Sequence, residues 1–133
     1  MIFRPELAQA VMDGRKTVTR RLVREDNPRS PWHPDNAPKL VGKRLAVQPG
    51  RGKRAIGTVR VVSVERDPEF VPLDISNEEA IREGFADTFW RLPWMQFYDA
   101  WQELHGRQAI HATYDVWRIE LTDPAPAGRE ENP

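Results

Sequence analysis

The 133-residue sequence contains no cysteine. This absence excludes disulfide bonds, a thiol nucleophile and thiolate ligands for a metal ion. The three histidines, at positions 33, 105 and 111, form neither an H-x-x-x-H nor an H-E-x-x-H pair, so we predict no metal site. A Walker motif and a G-x-G-x-x-G loop are also missing, and we therefore predict no cofactor.

Long apolar runs and an excess of one charge are missing as well. No stretch is apolar enough over its length to span a bilayer, and the N-terminal residues MIFRPELAQ lack a signal-peptide pattern. We therefore expect a cytoplasmic protein with no membrane partner. Twenty basic residues balance twenty acidic ones, which argues against bulk polyanion binding but permits a local basic patch.

The N-terminal part of the chain predicts a helix, a strand and a long loop. Pro5 suits the first turn of a short helix, and Gly14 provides its stop. The segment KTVTRRLV (16–23) contains β-branched residues and an apolar end, which predicts a strand. Residues 24–41 contain four prolines and no hydrophobic period, which predicts a long loop.

A strand pair and a short helix are predicted next. The segment KRLAVQPGRGKRAIGTVRVVSVERD (43–67) predicts two strands around a turn at Pro49. The segment ISNEEAIREGF (75–85) predicts a helix with a capping box, in which Ser76 is the cap and Glu79 follows three residues later.

The C-terminal part predicts a second helix over 93–105 and a last strand over 110–121. Trp94, Phe97 and Trp101 form an apolar stripe on that helix, which favours a role in the core over one in base stacking. Residues 123–133 are rich in proline and charge, and we expect them to form a flexible tail.

This order of elements predicts the fold class. Helices do not separate the strands regularly, so a parallel βαβ sheet is not expected. We predict an α+β fold, with a small, mostly antiparallel β-barrel of about five or six strands and two or three flanking helices.

The segment GRKTVTRR, which follows the short helix, resembles the signature of the ASCH family, whose fold is a PUA-like β-barrel. The segments VGKRLAVQPGRGKRAIGTVRVVSVE, DISNEEAIREGF, FWRLPWMQFYDAW and VWRIEL are similar to later parts of that family, in the same order. The resemblance covers residues 1–122 and implies a single PUA-like domain.

The resemblance also implies an activity. The family contains small bacterial amidohydrolases that remove the acetyl group from N4-acetylcytidine, and their functional trio corresponds to Lys16, Thr19 and Glu83. Because the sequence has no metal-ligand cluster, we predict that the same hydrolysis would proceed here without a metal. Without the resemblance, Lys16 would be predicted as a surface lysine, Thr19 as an ordinary strand threonine and Glu83 as a solvated helix residue.

Each member of the trio has a chemical role that fits amide hydrolysis. The Thr19 hydroxyl can attack an acyl carbonyl if a base lies nearby. Lys16 can serve as that base if burial lowers its pKa, or can stabilise the oxyanion if it stays charged. Glu83 can protonate the departing nitrogen. Residues three apart on a regular strand face opposite sides, so Lys16 and Thr19 share a site only if Lys16 lies in the turn after Gly14 or the strand bulges.

Four further residues are predicted to contact the nucleoside substrate, and they are Thr17, Arg20, Arg21 and Trp32. Arg20 and Arg21 point to opposite faces of the strand, and one of them can line the pocket or pair with a carboxylate. Trp32 lies in the loop 24–41, where it can close over a nucleobase or pack onto the barrel.

The alternative function is RNA binding without chemistry, and a third is RNA cleavage, since the family also contains proteins thought to bind or cleave RNA. The cationic residues predicted to contact RNA in that case are Lys43, Arg44, Arg51, Lys53 and Arg54. We expect a monomer or a weak homodimer.

Overall fold

The computed structural model describes residues 1–128 of the chain. The helices are α1 (Pro5–Met12), α2 (Asn77–Arg82) and α3 (Pro93–His105), and the strands are β1 (Val18–Leu22), β2 (Arg44–Val47), β3 (Gly57–Phe70) and β4 (Tyr114–Pro126). The predicted α+β class is confirmed. None of the helices in this part of the chain is long and apolar enough to cross a membrane.

The four strands form one antiparallel sheet in the order β1-β4-β3-β2. The described residues therefore give four strands where about five or six were predicted, and the N-terminal segment contributes only an isolated bridge between Ile2 and Gln48. The sheet is open within residues 1–128, with β1 and β2 as its two edges.

The N-terminal segment spans the gap between those edges. Phe3 N donates to the Gln48 carbonyl at 2.9 Å, and Gln48 N donates to the Met1 carbonyl at 2.8 Å, so the segment adds to the end of β2. On the other side, Arg21 Nη2 of β1 donates to the Ile2 carbonyl at 2.8 Å. This second connection is a side-chain hydrogen bond and not a pairing of strands. The described strands therefore do not close into the predicted barrel.

Hydrophobic clusters cover both faces of the sheet. The cluster beneath α1 contains Val11 together with Val59 and Ile119 from the central strands. The cluster beneath α2 and α3 contains Phe97 and Trp101, which confirms the predicted core role of the apolar stripe on α3. Side chains along a strand can enter either cluster, because successive strand residues point to opposite faces of the sheet.

β4 continues beyond its predicted end and into the segment expected to be a tail. Ala125 pairs with Thr58, and Pro126 pairs with Gly57. The strand partner β3 is long enough to bind this extension, and pairing outweighs the proline-rich composition. The rest of the predicted tail, residues 129–133, lies outside the described residues.

The loop 24–41 is organised by turns and a short 3-10 helix over Ala37–Leu40. Ala37 is fully buried in the cluster beneath α1. The loop is therefore anchored to the core through its C-terminal part.

Candidate active site

Lys16 lies in the turn between α1 and β1 and not on the strand itself. Gly14 adopts a positive φ of 78°, and the backbone N–H groups of Arg15 and Lys16 both donate to the Ala10 carbonyl, at 2.9 and 3.0 Å. This turn folds back over the end of α1 and directs the Lys16 side chain inward, where it is only 3% exposed. Lys16 therefore lies in the turn after Gly14, before Val18, the first residue of β1. This was one of the two arrangements that would allow Lys16 and Thr19 to share a site.

Glu83 is the C-terminal cap of α2, immediately before Gly84. It is 3% exposed, although the sequence EEAIRE suggests a solvated face. Lys16 Nζ donates to Glu83 Oε1 at 2.9 Å and to the Glu83 backbone carbonyl at 2.8 Å. Glu83 Oε2 accepts a hydrogen bond from Arg20 Nη1 at 2.7 Å. The Glu83 carboxylate is therefore held between the side chains of Lys16 and Arg20.

Thr19 lies on β1 and is 4% exposed. The third hydrogen bond of Lys16 Nζ goes to the Val18 carbonyl at 2.8 Å, and that carbonyl belongs to the peptide group that joins Val18 to Thr19. The structure thus brings the Lys16 ammonium to the backbone of Thr19 and to the side chain of Glu83.

The three acceptors around Lys16 Nζ match the three N–H donors of a charged lysine. A neutral amine has only two donors and would direct its lone pair at an oxygen. Burial lowers the pKa of Lys16 from its usual 10.5, and the charge and hydrogen bond of Glu83 oppose this effect. The geometry of the resting site favours the role of a cation over that of a base.

Gly84 is required by the packing around Lys16. Its φ is 104°, and a β-carbon at this position would lie 3.1 Å from Lys16 Cβ and 3.2 Å from Leu7 Cδ2. Both the backbone conformation and the close approach favour glycine.

Arg20, which was predicted to bind substrate, is held by carboxylates of α2. Its Nη1 donates to Glu83 Oε2 and its Nη2 donates to Glu79 Oε1, each at 2.7 Å. The guanidinium also lies over the Phe70 ring, with Cζ 4.9 Å from the ring centroid. In this arrangement Arg20 faces the helices α2 and α3.

Arg21 points to the opposite face, as strand alternation requires. Its Cζ lies 4.8 Å from the centroid of the Phe3 ring and 5.7 Å from that of the Trp32 ring. Burial lowers the pKa of Arg21 to about 10, while the charge of Glu83 opposes this shift. Lys16 Nζ lies 5.9 Å from the centroid of the same Phe3 ring, so both cations flank one aromatic side chain.

Trp32 packs onto the sheet. Its backbone carbonyl accepts a hydrogen bond from Trp117 Nε1 at 2.7 Å, and its side chain is partly buried against the cluster beneath α1. The backbone of Thr17 connects α2 to β4. Its N–H donates to the Arg82 carbonyl and its carbonyl accepts from Leu121 N, both at 2.8 Å. Contacts of Thr17 and Trp32 with substrate remain predictions.

The residues predicted to contact RNA lie on another part of the sheet, at the start of β2 and in the turn that follows it, and all of them are exposed: Lys43, Arg44, Arg51, Lys53 and Arg54. Arg44 forms an ion pair with Asp123 and donates to Thr58 Oγ1 at 3.0 Å. The other members of the set are placed where a polyanion could reach them.

No candidate metal-binding site is found in the described part of the chain. Residues 1–128 bring together no group of three or more histidine, aspartate or glutamate side chains that could hold a metal ion.

Comparisons with known proteins identify the fold. Neither a protein-family model nor a curated protein sequence matches this chain. The structure of ASCH from Zymomonas mobilis matches with a TM-score of 0.55 at 20% identity, over 95% of this chain and 67% of that chain. The ASCH domain from Lactobacillus crispatus JV V101 matches with a TM-score of 0.54 at 16% identity, over 87% of this chain and 69% of that chain. This protein therefore has the fold of ASCH domains.

Proposed function

We propose that the protein is a metal-independent amidohydrolase that removes the acyl group from N4-acetylcytidine or a related N4-acylcytosine nucleoside. The observation that carries this proposal is the buried ion pair between Lys16 and Glu83, in which Lys16 Nζ also donates to the carbonyl of the Val18–Thr19 peptide. Buried charged pairs are costly for a small domain, and they are often retained where chemistry requires them.

The proposed roles follow from the hydrogen bonds of the resting site. The three hydrogen bonds of Lys16 Nζ fit a cation, and Lys16 stabilises the negative charge on the acyl oxygen once that oxygen replaces one of its three present acceptors. The two carboxylate oxygens of Glu83 accept hydrogen bonds from Lys16 and Arg20, so in this proposal Glu83 first takes up a proton and then gives it to the leaving group.

The reaction then uses Glu83 as both base and acid. The nucleophile is the Thr19 hydroxyl or a water that Thr19 orients, and its proton passes to Glu83 as its oxygen bonds to the acyl carbon. Collapse of the tetrahedral intermediate breaks the bond to N4, and Glu83 returns the proton to that nitrogen. If Thr19 is the nucleophile, a water then hydrolyses the acyl ester by the same steps.

Substrate access requires a movement, since Lys16, Thr19 and Glu83 are all buried. Phe3 is 6% exposed and contacts Lys16 and Arg21 from the N-terminal segment. We propose that this ring is displaced when a nucleobase enters, which leaves Arg21 and Trp32 at the edge of the opened site. Closure over the substrate would also exclude bulk water from the acyl group.

The decisive experiment is incubation of the purified protein with N4-acetylcytidine, followed by chromatographic detection of cytidine. Lys16→Ala, Thr19→Ala and Glu83→Gln should each reduce turnover on the order of a hundredfold, while the exposed β4 variant Thr122→Ala should not. A folded wild-type protein that releases no cytidine would contradict the proposal. Full activity of Lys16→Ala would contradict the assigned roles, and loss of activity in a chelator would contradict the metal-independent mechanism.

RNA binding is the second candidate, and the exposed cations on β2 and the following turn favour it. Arg51, Lys53 and Arg54 lie within four consecutive positions, which suits contacts with successive phosphates. A ribonuclease would additionally use a cation and a carboxylate near a ribose hydroxyl, which Lys16 and Glu83 could supply.

A further inference from the structure

A network of buried and partly buried charges lies behind Glu83, and the proposed reaction does not use it. Glu79 lies one helical turn before Glu83 on α2, so both carboxylates face β1. Arg20 forms a bridge between them, with one Nη atom on each carboxylate. Its side chain is 7% exposed, so the bridge is shielded from water.

Glu79 binds three arginines. Arg118 donates to it through Nε at 2.7 Å and Nη2 at 3.1 Å, and Arg82 donates through Nη1 at 2.9 Å. Together with Arg20, these contacts occupy both carboxylate oxygens. Glu79 is therefore held firmly between α2, β1 and β4.

This use of Glu79 departs from the capping box that its position suggests. Ser76 Oγ accepts the hydrogen bond of Glu79 N at 3.1 Å, so the first half of the capping box is present. The carboxylate, which would complete the box by returning to the Ser76 N–H, binds the arginines instead. A local rule that is broken in this way often marks a functional requirement.

We propose that Arg20, anchored by Glu79, is a positioning residue that fixes the Glu83 carboxylate against Lys16. Because Arg20 holds Oε2, the other oxygen of Glu83 is presented to Lys16 Nζ. The effect of this positioning on catalysis rests on the proposed function. The positioning itself is a property of the folded protein and does not depend on that function.

The charges explain why positioning is needed. Two carboxylates at i and i+4 repel each other, and the guanidinium between them removes that repulsion. Without Arg20, Glu83 would keep a buried and unpaired oxygen, which is strongly unfavourable, and its side chain would turn away from Lys16 towards solvent. Lysine cannot replace this function, because an ammonium does not have the planar fork that holds two carboxylates.

The pKa of Lys16 provides a test that does not depend on activity. The charged groups that act on Lys16 are Glu83 from α2, which raises its pKa, and Arg21 and Arg20 from β1, which lower it, with the effect of Arg20 the smallest. The pKa can be followed through the NMR signals of the Lys16 side chain in the folded protein.

The positioning role and a simple charge effect predict opposite results for Arg20→Gln. Removal of a nearby cation alone would raise the pKa of Lys16. Loss of the Glu83 contact would lower it, because Glu83 has the larger effect. We expect a lower Lys16 pKa in Arg20→Gln.

Arg20→Lys keeps the positive charge, so a simple charge effect predicts an unchanged Lys16 pKa, whereas the positioning role predicts a lower one. It also provides a second variant if Arg20→Gln folds poorly. We expect it to lower the Lys16 pKa as well. The matched control is Arg118→Gln, which removes a Glu79 partner that does not bind Glu83, and it should leave the Lys16 pKa close to the wild-type value. A raised pKa in Arg20→Gln, or an unchanged one in Arg20→Lys, would overturn the proposal.

The kinetic arm uses N4-acetylcytidine. Arg20→Lys should lower kcat on the order of tenfold or more and change KM by less than about twofold, because a displaced catalytic group affects the transition state more than binding. If the wild type is active and Arg20→Lys has an unchanged kcat, the proposed effect of Arg20 on catalysis is overturned. If the wild type is inactive, the proposed function fails, whereas the NMR experiment still decides whether Arg20 positions Glu83.

Discussion

Lys16 donates hydrogen bonds to both the side chain and the backbone carbonyl of Glu83, at 2.9 and 2.8 Å. The backbone contact fixes the ammonium at the end of α2, and the side-chain contact places the carboxylate beside it. Replacement of the Glu83 side chain should therefore alter the charge of the site more than the position of Lys16.

Glu83→Gln should lower the pKa of Lys16, because the Glu83 charge raises that pKa in the wild type. The introduced amide would still accept a hydrogen bond, so the change should report mainly on charge. NMR titration of the Lys16 side chain measures it. Glu78→Gln, at an exposed position on the same helix, is the control and should have no effect. An unchanged Lys16 pKa in Glu83→Gln would show that the two groups are not coupled.

Lys16→Met should destabilise the fold by about 3 kcal/mol, because it leaves a buried carboxylate with one cation fewer. The added cost of Glu83→Gln should be smaller in the Lys16→Met background than in the wild type, since the two residues share one interaction. Urea denaturation of the single and double variants gives the required free energies of unfolding. Lys39→Met, at an exposed position, is the control. Strictly additive effects would contradict the pairing.

The stability of the protein should fall steeply in acid because of Glu79. Hydrogen bonds from Arg118 and Arg20 lower the pKa of Glu79 from its usual 4.5 to about 2, although burial opposes the shift. Its stabilising contribution is therefore complete above about pH 4.5 and is lost as the pH falls towards 2. Chemical denaturation across this range should show a smaller loss for Glu79→Gln than for the wild type. Parallel pH profiles would show that these ion pairs do not contribute.

Gly84→Ala should destabilise the protein by about 1–3 kcal/mol through backbone strain and additionally through contact with Lys16. Gly106 provides a matched control, because its φ of 81° is also positive but its β-carbon position has nothing within 4 Å. Thermal denaturation should therefore show a larger loss for Gly84→Ala than for Gly106→Ala. Equal losses would mean that the packing against Lys16 is not tight.

RNA binding, if it occurs, should weaken steeply with salt, because contacts with phosphates release counterions. Substitution of Arg51, Lys53 and Arg54 by glutamine should reduce that salt dependence. Binding of a neutral nucleoside at the candidate active site should depend only weakly on salt. Titrations of both ligands at two salt concentrations distinguish these cases, and salt-independent RNA affinity would exclude the basic turn as the binding surface.

The sequence predicted the helices well because their limits depend on local signals. The helix over 93–105 is found as predicted, since Pro93 suits its first turn and Gly106 its end. Strand ends were less predictable. The extension of β4 to Pro126 depends on its partner β3, which is distant in sequence, and composition alone suggested a tail.

The candidate site was predictable only in part. The family resemblance predicted Lys16, Thr19 and Glu83 as site residues, and the structure shows that all three are buried. The arginine bridge to Glu79 was not predicted, because Glu79 was already explained as part of a capping box. The four-residue spacing between Glu79 and Glu83 was the available signal, since it places both carboxylates on one helix face.

The central position of β4 has a consequence for how the chain acquires its structure. β4 separates β1 from β3, and its partners are far away in sequence, with Leu22 paired to Val116 and Gly57 to Pro126. During synthesis, β1 and β3 leave the ribosome before the strand that joins them, so the sheet cannot assemble until β4 has emerged. Such distant pairing slows folding. A chain that stopped before Tyr114 would lack the strand that pairs with both β1 and β3, and Thr19 would lose its partner Ile119.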